Sequence, residues 1–272
     1  MTLAHGAMAG PLVFSAAGAD AASIQAVVDA FRAALGSPDN GNAAPQPAGR
    51  REINWDGGGA AAPAATFATP MTTFASRGAT FATPGTGFEI SGQPSPEFGD
   101  LNPAYPGAFA TFSATRLFAP LDSNVMDVLF HLPGAADVAA ATRGFGAVFT
   151  DIDLADTTTI EFYDPGGESL GSFAAPVAGS GLSFLGIAFN AGELVSRVRI
   201  TLGNAALGAD EGAGVEVVAL DDFIYGEPQL VVIHAPAMVG LLGIGGLWLL
   251  RRRPPHRQAS IDTVQSFIRA PS

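Results

Sequence analysis

Val125-Met-Asp-Val-Leu-Phe-His-Leu132 is the stretch whose pattern sets the fold class. Successive side chains of an extended strand point to opposite faces. Met126, Val128, Phe130 and Leu132 therefore share one face, against Asp127 and His131 on the other. Arg197-Val-Arg-Ile-Thr-Leu202 repeats the pattern, with Val198, Ile200 and Leu202 alternating with Arg197 and Arg199. One apolar and one solvated face mark an antiparallel strand that covers a core. Further strands are expected at 144–150, 158–163, 169–173, 182–189, 194–202 and 215–225, with Asp164-Pro-Gly-Gly167 as a turn. Short strands recurring every ~8–12 residues predict a mainly β chain, a jelly-roll-like antiparallel β-sandwich.

Upstream of these strands the pattern changes. Ile24, Val27, Val28, Phe31 and Leu35 recur at helical spacing, which predicts an amphipathic helix over 20–35 packed on a sheet, with Asp20 as its cap and Gly36 as its stop. Residues 37–59 read as loop, with a short strand in Arg-Glu-Ile-Asn-Trp-Asp (51–56). Phe67, Phe74, Phe81 and Phe88 recur every seven residues, but the prolines and glycines between them rule out a coiled coil. Short strands or arcs that place Phe in a core are expected there.

At the other end, Leu230 to Leu250 is apolar apart from His234, and Arg251, Arg252 and Arg253 follow it. As a helix this run spans about 30 Å, the thickness of a bilayer's hydrocarbon core. Arginines on its C-terminal side place that side in the cytoplasm and the large N-terminal part outside. The chain is thus parsed as a signal-peptide remnant and entry segment (1–18), an extracytoplasmic β-sandwich domain (19–229), a transmembrane or sorting helix (230–250) and a basic cytoplasmic tail (251–272). The remnant reading rests on Ala7-Met8-Ala9, a small-x-small cleavage pattern, and places the true start codon upstream.

Charge divides along the same boundary. Residues 1–229 carry 24 acidic groups against 8 Arg, and residues 230–272 carry 5 Arg against one Asp, for a net charge of −12. An acidic outer domain argues against nucleic acid, whose phosphates it repels. The absence of cysteine excludes disulfides, thiol catalysis and Cys-ligated zinc.

With Pro236, the apolar run 239–250 and Arg251–Arg253 in place, the layout resembles bacterial exported proteins with a PEP-CTERM sorting signal. That signal is a Pro-Glu-Pro-like triplet, a Gly/Leu-rich helix and a terminal Arg cluster. Segments such as FGAVFTDID, IEFYDPGGESLGSF and DDFIYG also look like ectodomains common among such proteins. The triplet position here reads His234-Ala235-Pro236, and nineteen residues follow the arginines. The resemblance implies a cell-envelope location, an exosortase-type sorting protease as partner, and an association with polysaccharide.

For chemistry, the aspartates are the leading candidates. Asp151 and Asp153 follow a strand, and Asp221-Asp222 sits within the last one. Alternation turns one of that last pair towards the apolar side, where a carboxylate needs a hydrogen-bond donor, an Arg or a metal. Hard oxygen ligands suit a structural Ca²⁺, so Asp151, Asp153, Asp221 and Asp222 are its expected ligands. Trp55 is a candidate glycan contact, more readily read as a core residue. His131, on an outward strand face, reads as solvated. No catalytic constellation is apparent, and no nucleophile elbow precedes a helix. The expectation is therefore a non-enzymatic surface or matrix protein, with a secreted carbohydrate-active hydrolase on the same fold as the alternative.

Overall fold

The computed structural model describes residues 10–231. Its strands are β1 (Leu12–Gly18), β2 (Arg50–Ile53), β3 (Ala65–Ala68), β4 (Ala79–Ala82), β5 (Gly87–Ile90), β6 (Phe118–Leu121), β7 (Val125–Leu132), β8 (Ala135–Ala141), β9 (Gly144–Ile152), β10 (Thr159–Tyr163), β11 (Ser169–Ala174), β12 (Ala178–Ala188), β13 (Arg197–Thr201), β14 (Ala219–Gly226) and β15 (Gln229–Leu230). Helices α1 (Ala21–Leu35) and α2 (Tyr105–Ala108) complete them. The strands form two antiparallel sheets. An eight-stranded sheet runs β1-β12-β9-β14-β6-β5-β3, with β2 also on β14, and a seven-stranded sheet runs β11-β10-β13-β7-β8-β15, with β4 also on β7.

The alternating residues do what their spacing predicts. Met126, Val128 and Phe130 of β7 and Val198 and Ile200 of β13 enter one core with Phe145, Ala147 and Phe149 of β9 and Leu185 and Ile187 of β12. That core lies between the two sheets, the layering of a sandwich. On the outer face of the second sheet, Arg199 grips Asp127 with two bonds of 2.9 Å, in the cross-strand register Glu161↔Arg199↔Asp127. The larger sheet is covered on its outer face too. Helix α1 buries Ile24, Val28, Phe31 and Leu35 against Val148, Leu182, Phe184 and Ile224. Farther along, Phe98, Tyr105 and Phe109 pack on Leu117, Ala119, Val217 and Ala219.

Helix α1 starts where expected, with Asp20 accepting from the Ser23 N–H at 3.0 Å and Gly36 closing it at φ 99°. Phe81 and Phe88 are fully buried, while Phe67 and Phe74 lie at the core's margin. Three expectations need correction. Residues 12–18 form edge strand β1 on β12, so the folded domain begins before residue 19. Leu230 belongs to β15, paired with Ala140, rather than to a helix. His131 is half-buried, with Nε2 2.7 Å from Thr80 Oγ1, and burial lowers its pKa. Among the described residues no helix is long and apolar enough to cross a membrane. The expected span from residue 232 onward, its flanking Pro236 and Arg251–Arg253, and the Ala7-Met8-Ala9 pattern lie outside the described residues.

Candidate functional site

β14 carries one acidic group, and its partner strand β9 carries part of the other. On one side β14 pairs with β9; on the other it changes partner, meeting β6 at Leu220 and β2 from Phe223 to Gly226. Its register with β9 slips between Leu220 and Phe223, so Asp221 and Asp222 occupy a bulge. The extra residue keeps Leu220 and Phe223 both in the core and breaks the alternation that would send the two aspartates opposite ways. Both carboxylates instead meet one hydroxyl, with Ser113 Oγ 3.1 Å from Asp221 Oδ1 and 2.7 Å from Asp222 Oδ1.

Asp56 Oδ2 lies 3.1 Å from the same Ser113 Oγ. The Phe112 N–H donates to Asp221 Oδ2 at 2.6 Å, and Arg32 Nη2 of α1 lies 3.7 Å from Asp222 Oδ2 while pairing with Glu52 at 2.8 Å. A hydroxyl carries one proton, so Ser113 donates to one of these three carboxylates at a time. Burial, and then the charge of Asp222, push Asp221 well above the usual carboxylate range. Burial likewise raises Asp222 and Asp56. Asp221 is fully buried, so this group is a polar knot that ties β14 to the 112–113 and 54–56 segments rather than a surface that meets a substrate.

Asp151 and Asp153 belong to a different group. Asp151 lies inside β9 at φ 64°, a left-handed kink that turns its side chain out of register and gives the next core position to Ile152. Its Oδ1 accepts from the Ser180 N–H at 2.5 Å, and its Oδ2 is buried without a partner. Burial, and the charge of Asp153, raise its pKa. Glu216, also buried, spans the turn after β9, accepting from the Asp153 N–H at 2.7 Å and the Leu154 N–H at 2.8 Å. Burial, and then the neighbouring Asp151, push Glu211 up to about 7. Asp153 and Glu211 are exposed, so this bowl opens to solvent over a buried floor.

The four aspartates therefore do not assemble into one ligand set, because they enter two separate hydrogen-bond networks. Among the described residues, no group of three or more His, Asp or Glu side chains is arranged to hold a metal ion. Trp55 is 2 % exposed, stacks on Phe118 at 3.9 Å between centroids and donates its indole N–H to the Asp221 carbonyl at 2.6 Å. Both its ring faces and its polar edge are used inside the protein, which leaves none for a sugar. A small cleft of about 210 Å³ lies among Thr142, Arg143, Leu194, Glu227 and Gln229. Its carboxylate, Glu227, is already held by Arg51 at 2.7 Å.

Sequence reasoning did not single out Ser113, Glu211 or Glu216. Ser113 sits in a loop without a pattern, and Glu211 and Glu216 flank a Gly-Ala-Gly tip that reads as ordinary turn. No protein-family model matches the chain, and no curated protein is similar enough in sequence to count as a relative.

Proposed function

We propose that the chain is an exported surface or matrix protein of the PEP-CTERM type, its jelly-roll-like β-sandwich held outside the cell by the apolar segment that follows. The observation that carries this reading is where the folded domain ends. Its last strand, Gln229–Leu230, lies on the edge of the second sheet immediately before the run that stops at Arg251–Arg253. A domain closed by its own strand, then an apolar segment, then a basic cluster is the order a membrane-tethered ectodomain requires. A non-enzymatic role is supported by the acids of the β14 knot, which point inward to backbone and hydroxyl donors.

Protease added to spheroplasts of the native host tests the topology. The 10–231 domain is expected to be digested, while an epitope placed after Ser272 survives until the membrane is permeabilised. A domain protected in intact spheroplasts overturns the reading.

A further inference from the structure

The backbone pairings gather a set of apolar side chains at one end of the sandwich. Leu12, at the start of β1, pairs with Ala188, and Ala188 pairs with Gly144. Just before Gly144, Thr142 bridges to Val195, and Ala141 pairs with Gln229 of β15. The chain leaves the described domain from this same end, through Leu230 and Val231. Of the seven large apolar side chains that the described residues expose, four lie here: Leu12 and Val13 of β1, Leu194 beside Val195, and Leu230, each 40–55 % exposed. Leu194 also shares a small cleft with Thr142, Gln229 and the exposed Arg143. Val177 and Val215 lie at the opposite end. One precedes Ala178, which pairs with Ile152, and the other precedes Glu216, which spans the turn after β9. Single exposed apolar side chains are ordinary on a protein surface, but a set gathered at one end marks a contact.

The exit of the chain says what covers this end. Leu230 is fixed to Ala140, and five residues separate it from Ala235, where the uninterrupted apolar run begins. Five extended residues reach at most about 18 Å. With that run in a bilayer, the tether is too short to carry the domain far from the headgroups. We infer that this end of the sandwich is a lipid-facing foot: Leu12, Val13, Leu194 and Leu230 enter the interfacial layer of the bilayer, and Arg143 meets lipid phosphate. The inference rests on the tethered reading of the apolar run proposed above. Asp39, Asp164, Glu168 and Glu193 lie at the same end, and the cost of desolvating a carboxylate keeps the foot shallow. Asp20, Asp151 and Asp153 lie at the opposite end, so anionic headgroups, which attract Arg143, repel the wrong orientation.

The chain has no cysteine, so single cysteines can carry a fluorescent label without a background. The full chain is reconstituted into vesicles of phosphatidylethanolamine and phosphatidylglycerol that contain nitroxide-bearing lipid, with one label at a time. Labels on Val13→Cys and Leu194→Cys are expected to be quenched several-fold more than a label on Val177→Cys, an equally exposed valine at the far end. A label on Val239→Cys, inside the apolar run, reports the tether itself. Leu12→Asp with Val13→Asp, both at exposed positions, should relieve the quenching at Leu194 and leave that at Val239 unchanged. Quenching at Val239 with none above the Val177 level at Val13 and Leu194 overturns the foot and leaves the tether standing. No quenching at Val239 overturns the tether and the foot with it. Quenching at Leu194 that ignores the two aspartates also overturns the foot, because the apolar side chains then do not seat the domain.

Discussion

Arg51 is the largest of the fully buried side chains, and every N–H of its guanidinium is used. Nε and Nη2 grip the two oxygens of Glu227 at 2.7 Å each, and Nη1 and Nη2 donate to the carbonyls of Gly41, Ser76, Ala43 and Ala44 at 2.7–3.3 Å. One cation thus fastens the loop after α1 to the chain leaving β14. In the sequence Arg50 and Arg51 look alike, yet on β2 Arg51 shares its face with core residue Ile53 while Arg50 faces α1 and pairs with Glu52. A buried ion pair adds little net stability, but losing one partner strands the other charge. Arg51→Met should therefore destabilise the domain by about 3–5 kcal/mol in urea denaturation. Replacing Glu227 by Leu in the same chain should recover part of that loss, since the orphaned carboxylate is then gone. A single change that costs less than about 1 kcal/mol, the level of an exposed pair, would show that the grip is idle.

At the scale of elements, the seat of α1 on the large sheet depends on two glycines. Gly146 of β9 and Gly186 of β12 are directly paired across the strands, and the ring of Phe31 drops into the flat patch they leave. A Cβ on either glycine would come within 2.8 Å of that ring, with sheet backbone and the Phe184 ring blocking retreat. Gly186→Ala is expected to cost about 1–3 kcal/mol by overpacking. Pairing it with Phe31→Leu should cost less than the two single losses together, and strict additivity in that cycle would mean the ring does not seat there. The helix itself was legible, because five apolar residues at helical spacing and a capping Asp leave few alternatives. So were β7, β10 and β13, whose alternation is clean, and β9, a short apolar run buried on both faces. Edge strand β1 was not, since Leu12–Gly18 turns Phe14 and Ala16 against α1 but carries no charged residue to mark an opposite face. Ala-rich β8 and the proline-containing β6 carry equally little signal. The acids were legible as chemistry but not as sites. The β14 bulge that turns Asp221 and Asp222 together, and the loop that brings Glu216 to the turn after β9, are long-range results of packing.

For the molecule as a whole, the decisive asymmetry is that one sheet is covered on both faces and the other on one. Acids on the open outer face of the second sheet, such as Asp127, meet arginine and water. Acids on the large sheet lie under α1 or the segments around α2, and burial raises the pKa values of Glu89, Asp221 and Asp222 among them. Glu89 is the clearest case. Phe88 and Ile90 on either side of it point into the core between the sheets, so Glu89 faces the other way, opposite Ala119 and under the 98–109 segment. It is 3 % exposed, and its Oε1 has no hydrogen-bond partner. Burial, and then the charge of Asp100, push its pKa up to about 7. A carboxyl whose folded pKa lies above its unfolded value of 4.5 contributes fully at low pH, and that contribution is lost as pH rises through the folded value. Stability should therefore fall between about pH 4.5 and 7 and level off above, by an amount on the order of 3 kcal/mol from this group. In Glu89→Gln, which keeps the shape and cannot ionise, the melting temperature should lose the share of this slope that Glu89 contributes, leaving that of Glu211, and exceed the wild type's at pH 8. Melting curves collected from pH 4.5 to 8.5 give this comparison. A wild-type slope that persists unchanged in Glu89→Gln would mean that the large sheet's roof does not hold this carboxyl neutral.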